Sequence, residues 1–185
     1  MTPDLFQAAT GCSADLAAKW ADPVSAAMDA YGINTVGRTT AFLAQIGHES
    51  EGFRYSREIW GPTPAQERYE GRVDLGNTQP GDGLRFLGRG LIMITGRDNY
   101  EDVTHALNHD FVATPSDLAL PQWAALSAGW FWSSHDLNSL ADSGEFEEIT
   151  RRINGGQNGA ADRMRLYQLA QATLGCPTIT PEVSP

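Results

Sequence analysis

Glu49 closes the stretch Thr39-Thr-Ala-Phe-Leu-Ala-Gln-Ile-Gly-His-Glu-Ser50, and its place there gives the chain its first sign of chemistry. Phe42, Ile46 and Glu49 stand at i, i+4 and i+7, so they share one face of a helix. Phe42 and Ile46 call for a core, which leaves the carboxyl at the lip of an apolar stripe. Partial removal from water raises the pKa of a carboxyl so placed. A glutamic acid kept neutral in this way serves as a general acid. Gly47 allows a backbone or a substrate to come close, and Gly52 offers a stop for the helix. The ordinary alternative is an amphipathic helix with one exposed glutamate. What weighs against it is the company Glu49 keeps: Arg57-Glu58, Tyr69-Glu70-Gly71-Arg72, Gly88-Arg89-Gly90-Leu-Ile-Met-Ile-Thr95 with Asn99-Tyr100, and Ile153-Asn154-Gly155-Gly156.

The elements that must position these groups are mostly helical. Thr2-Pro3 opens a short first helix, and Ser13 caps a second that Asp22-Pro23 should break. Val24 to Ala30 then makes a third, and Asn34-Thr35 caps the helix of Glu49. Glu51 to Gly90 has many glycines and prolines and little helical period, apart from a turn or two after Thr63-Pro64. Irregular chain of this length inside a domain is usually functional, as a cleft wall or lid. The apolar run Leu91 to Ile94 reads as a short strand, so a small β-hairpin is expected. Helices return over Asp98 to His109, Pro121 to Ser134, Glu145 to Ile153 and Asp162 to Leu174. The Pro121–Ser134 segment is apolar all round, the mark of a buried central helix, and its tryptophans read as core rather than as sugar platforms. The fold class is therefore mainly α (α+β), one domain over residues 1–176 followed by a Pro- and Thr-rich tail over 177–185.

Composition narrows the function. A net charge of −10 leaves no basic face for phosphates, which excludes nucleic acid, and gives no general attraction to anionic surfaces. No run is apolar and long enough for stable membrane insertion. The N-terminus shows no basic region followed by an apolar core, so no signal peptide is expected. The four histidines and two cysteines have no metal-ligand spacing, and no metal or cofactor is expected. Cys12 and Cys176 lie near opposite ends and could pair only if the termini meet; they read as free thiols.

In order and spacing, four motifs, His48-Glu49-Ser50, Arg57-Glu58, Gly88-Arg89-Gly90 to Thr95 with Asn99-Tyr100, and Ile153-Asn154-Gly155-Gly156, resemble glycoside hydrolase family 19, the family of plant chitinases. The closer match is its short phage and prophage branch, the endolysins that degrade peptidoglycan. The resemblance covers about Thr39 to Gly175. It implies a lysozyme-like, two-lobed helical domain with the hairpin beside a catalytic cleft. Glu49 matches the family's general acid. Glu58 takes the place of the base that activates water, with Arg57 beside it to keep it ionised; Glu70 is the rival base. The family inverts at the anomeric carbon, which implies carboxyls about 6.5–9.5 Å apart. His48, Tyr69, Arg89, Thr95, Asn99 and Asn154 fall at or beside motif positions that contact sugar or water, and Arg163 enters a salt-bridge network with the catalytic carboxyl. The sequence departs from the family at Met93, where glutamine is usual, and at Leu91, where proline is common. The implied activity is lysozyme-type cleavage of β-1,4 bonds in peptidoglycan for host lysis, by a monomer that waits in the host cytoplasm for a holin and then acts on the wall from the periplasm. A chitinase, and an inactive glycan-binding homologue, are the competing readings.

Overall fold

The computed structural model describes residues 1–175, and ten α-helices carry the described chain. They are α1 (Pro3–Thr10), α2 (Ala14–Ala30), α3 (Val36–Glu49), α4 (Pro64–Glu67), α5 (Asp82–Arg85), α6 (Arg97–Leu107), α7 (Pro121–Ser134), α8 (Leu137–Asp142), α9 (Phe146–Asn154) and α10 (Ala160–Leu174). Cys176 and the 177–185 segment lie outside the described residues. In the helical body, α3 packs along α10, α2 packs along α7, and α1 lies against α2 and α10. Phe42 of α3 meets Trp132 of α7 edge to face at 5.3 Å, and both are fully buried, so the stripe beneath Glu49 does end in the core.

Local chemistry explains the starts of the first three helices. Thr2, Ser13 and Thr35 each accept a backbone N–H at the start of α1, α2 and α3. The expected break at Asp22-Pro23 does not occur: α2 runs through Pro23 to Ala30. Trp20, Ala21, Val24 and Ala27 are buried on either side of it, and the Ser25 hydroxyl donates to the Ala21 carbonyl at 2.7 Å. Burial of that face outweighs the cost of a proline inside a helix, about 3 kcal/mol relative to alanine. Helix α8, which follows Asp136 in a left-handed conformation, is one that the sequence reading left out.

The expected hairpin is reduced to two isolated antiparallel bridges, Arg57 with Arg89 and Arg89 with Ile94. The apolar run that suggested a strand is satisfied in another way. Leu91 is fully buried, its N–H donates to Ala124 of α7 at 3.1 Å, and Met93 turns the chain with φ +55°. Packing on α7 takes up Leu91, and Ile94 pairs only through its bridge to Arg89.

Candidate active site

Helix α3 delivers Glu49 on its last turn, and the chain beyond it is tightly locked. The Ser50 hydroxyl donates to the Ile46 carbonyl at 2.6 Å and accepts the Phe53 N–H at 2.9 Å. The Gly52 N–H returns to the Gly47 carbonyl at 2.7 Å, which Gly52 allows with φ +71°. Glu51 and Phe53 flank it at φ +50° and +67°, a conformation that costs a side-chain residue about 1–3 kcal/mol. The gain is the complete burial of Phe53, packed against Phe6 at 4.9 Å, with its carbonyl taken by the Trp20 indole N–H at 2.9 Å.

Across the cleft, Glu58 is held by the segment that bridges to Gly88-Arg89-Gly90. Its backbone N–H donates to the Gly88 carbonyl at 2.8 Å, and the Gly88 N–H donates to its Oε2 at 3.2 Å. A Cβ on Gly88 would stand 3.4 Å from that oxygen and 3.2 Å from the Thr95 hydroxyl, so glycine lets the loop close on the carboxylate. Oε1 accepts from the Gln66 amide at 2.9 Å and from the Tyr69 hydroxyl at 3.4 Å. Burial, and then Glu58 itself, raise the Tyr69 pKa, which keeps that hydroxyl a donor. The expected partner Arg57 makes no ion pair with Glu58 among the described residues. Neutral donors hold the carboxylate in its place.

Glu49 and Glu58 line one cleft of about 470 Å³, with Tyr55, Ile59, Tyr69, Met93 and Thr95 among its walls. Met93 and Thr95 also line an adjoining hollow of about 450 Å³ with Asn99, Trp130, Phe131 and Ile153, so the groove continues past the carboxyls. Trp132 is core, as expected of α7, but half-buried Trp130 and Phe131 reach this groove.

Arg163 is no surface residue. It is fully buried on α10 and ion-pairs with Glu49 Oε1, while its other terminal nitrogen donates to Gln45 Oε1 at 2.5 Å. The Gln45 amide passes on to the Thr150 hydroxyl of α9 at 2.8 Å. A buried polar chain thus ties three helices to one oxygen of Glu49, and Arg163 acts as a positioning residue. Gln45 and Thr150 escaped the sequence reading, although a glutamine one turn before Glu49 on the same helix was a usable signal. Gln66 escaped as well. Thr63-Pro-Ala-Gln66 is a legible capping box, and Gln66 Oε1, accepting from Thr63 and Gly61, leaves its amide N–H groups to face Glu58 and the Ile59 carbonyl.

Three expected residues fall elsewhere. His48, a helical step of 100° from Glu49, turns away from the cleft; its Nδ1 meets Asp162 at 2.8 Å in a separate hollow beside Gly11 and Leu16. The imidazole, with Arg165 assisting, holds the Asp162 carboxyl below the usual carboxylate range. Arg89 turns its guanidinium to the Arg85 carbonyl and the Tyr100 hydroxyl, each at 2.8 Å, on the outer side of the wall. Glu70 spends both oxygens on the Gly81 and Gly83 N–H groups at 2.7 and 2.9 Å, where it anchors the start of α5. Among the others, Tyr69 and Thr95 face the cleft and Asn99 the adjoining hollow. Asn154 closes α9 beside that hollow with its Oδ1 buried and unpartnered among the described residues.

A helical body, an irregular wall and a carboxyl from each in one groove are the arrangement that a glycoside hydrolase of the lysozyme-like type requires. Comparison with known proteins makes this specific. A protein of Haemophilus influenzae described as glycosyl hydrolase family 19 domain-containing is 33% identical over 178 residues, covering 81% of this chain and 86% of that protein. The chain belongs to glycosyl hydrolase family 19. An Arabidopsis thaliana endochitinase is 28% identical over 143 residues; the match takes in 73% of this chain but only 51% of that protein, so the chain spans about half of it. Chitinase C from Streptomyces griseus has the same fold, with a TM-score of 0.71 at 23% identity over 94% of this chain and 76% of that one. No family model matches the chain.

Proposed function

We propose that this glycoside hydrolase cleaves β-1,4 bonds in the glycan strands of peptidoglycan by inversion, with Glu49 as acid and Glu58 as base, and serves in lysis of a bacterial host from the cytoplasmic side. The observation that carries the catalytic part is the shared cleft: Glu49 held by a buried arginine, Glu58 by three neutral donors, Glu70 occupied elsewhere. Glu49, entering the step as the neutral acid with Oε1 still accepting from Arg163, gives the proton on Oε2 to the glycosidic oxygen as the bond to the anomeric carbon breaks. Glu58 takes a proton from the water that attacks that carbon from the opposite face. The products are an alcohol and a hemiacetal of inverted configuration.

Met93 supports peptidoglycan over chitin. It lines both halves of the groove, where a thioether can pack on the lactyl ether of N-acetylmuramic acid but offers no strong hydrogen bond to an N-acetylglucosamine hydroxyl. The test is digestion of purified peptidoglycan and of chitin oligomers by the protein and by Met93→Gln. The protein should release muropeptides whose reduced ends identify the bond cut, and should act poorly on chitin. Met93→Gln should gain on chitin and hold or lose on peptidoglycan, with a change near tenfold at most for one hydrogen bond. Rapid cleavage of chitin with peptidoglycan untouched would make the protein a chitinase. Loss of turbidity by outer-membrane-stripped cells checks the lytic role.

A further inference from the structure

Five arginines, Arg54, Arg57, Arg68, Arg85 and Arg89, make no ion pair with a carboxylate among the described residues, and three of them line one hollow. That hollow, of about 390 Å³, is walled by Arg57, Arg85 and Arg89 together with Trp60, Leu84 and Leu87. Their polar contacts within the protein are modest. Arg85 donates to the Val112 carbonyl at 2.7 Å, and Arg89 to the Arg85 carbonyl and the Tyr100 hydroxyl at 2.8 Å each. In a chain of net charge −10, three arginines without a carboxylate partner around one concavity favour an anion there. The apolar side, with Leu84 53% exposed, suits small aliphatic groups beside that anion. Arg57 belongs to the walls of both this hollow and the catalytic cleft, so a ligand can span the two.

We propose that this arginine hollow binds the carboxylate-bearing peptide stem that hangs from the muramic acid of peptidoglycan while its glycan lies in the cleft. The proposal deepens the functional reading above and rests on it. A stem of alanyl and acidic residues matches both halves of the hollow, carboxylates to the guanidinium forks and methyl groups to Leu84, Leu87 and Trp60. Chitin has no such group.

The test compares intact peptidoglycan with peptidoglycan whose stems an amidase has removed, for the protein and for Arg85→Gln and Arg85→Ala. Arg85→Gln and Arg85→Ala should raise KM on the intact material by roughly ten- to a hundred-fold, the worth of a charge-assisted hydrogen bond, with kcat held. On the stripped glycan, protein and variants should have the same KM. An equal rise on both glycans would place the arginines on the sugar or its lactyl carboxylate and overturn the proposal; so would no rise on either. Calorimetry with muramyl dipeptide separates this from the functional reading. Binding that is lost in Arg85→Gln upholds the hollow even if the glycan is not cut. No binding by the intact protein overturns the hollow even if it is cut.

Discussion

At the scale of residues, the two carboxyls are fixed by opposite means. Glu49 depends on a buried charge, and Glu58 on neutral donors alone. Removing one member of a buried ion pair costs about 3–5 kcal/mol because the other charge is left without a partner. Arg163→Met should therefore lower the thermal midpoint strongly, and calorimetry measures it. Glu49→Gln should lower the midpoint by less than Arg163→Met, because the amide oxygen still accepts from Arg163 although its charge is gone, and lose about 10²–10⁴-fold in turnover. A glutamine variant with more than a tenth of the parent rate would remove Glu49 from the chemistry.

At the scale of elements, the sequence was legible wherever local signals and core burial agreed. The α7 limits, the Thr35 cap of α3 and the stripe under Glu49 are as the residues imply. It misled where tertiary packing overrides a local rule, as at Pro23 and in the Leu91–Ile94 run. It misled also where a neighbour in sequence is not a neighbour in space: His48 stands beside Glu49 in the chain and 100° away around the helix. The buried chain from Thr150 through Gln45 to Arg163 joins residues more than a hundred positions apart, and no spacing rule reaches that far. The override at Pro23 can be measured. Pro23→Ala restores an N–H within α2 worth about 3 kcal/mol and frees the unfolded chain by about 1 kcal/mol, so a net gain of about 2 kcal/mol is expected in urea unfolding. No gain would mean that α2 already bends to absorb the proline.

At the scale of the whole molecule, the irregular wall that carries Glu58 is tied to α6 by Asp82 with Arg97, by Asn77 Oδ1 accepting the Arg97 N–H and by the Tyr100 hydroxyl donating to the Leu87 carbonyl. The Asp82–Arg97 pair is at 2.5 Å with the carboxylate only 2% exposed. Arg97 holds the Asp82 carboxyl below the usual carboxylate range, against the opposing effect of burial. A carboxyl whose pKa is lower folded than unfolded adds stability above its unfolded value, about 3.9, and loses it as pH falls through the folded value. Acid should therefore weaken the protein below about pH 4. Asp82→Asn should be less stable at neutral pH and show a flatter acid limb, read from melting temperatures across that range. Equal acid limbs in both proteins would move the wall's anchor elsewhere.

The central claim, that Glu58 rather than Glu70 activates water opposite Glu49, is tested most directly by azide rescue. Glu58→Ala opens room beside the anomeric carbon, and azide needs no base to attack it. The account predicts that Glu58→Ala falls by about 10²–10⁴-fold, that azide restores cleavage, and that a β-linked substrate then releases an α-configured glycosyl azide. Glu70→Gln should retain its turnover. A Glu58→Ala protein within tenfold of the parent, or an inactive Glu70→Gln protein with an unchanged melting temperature, would contradict it.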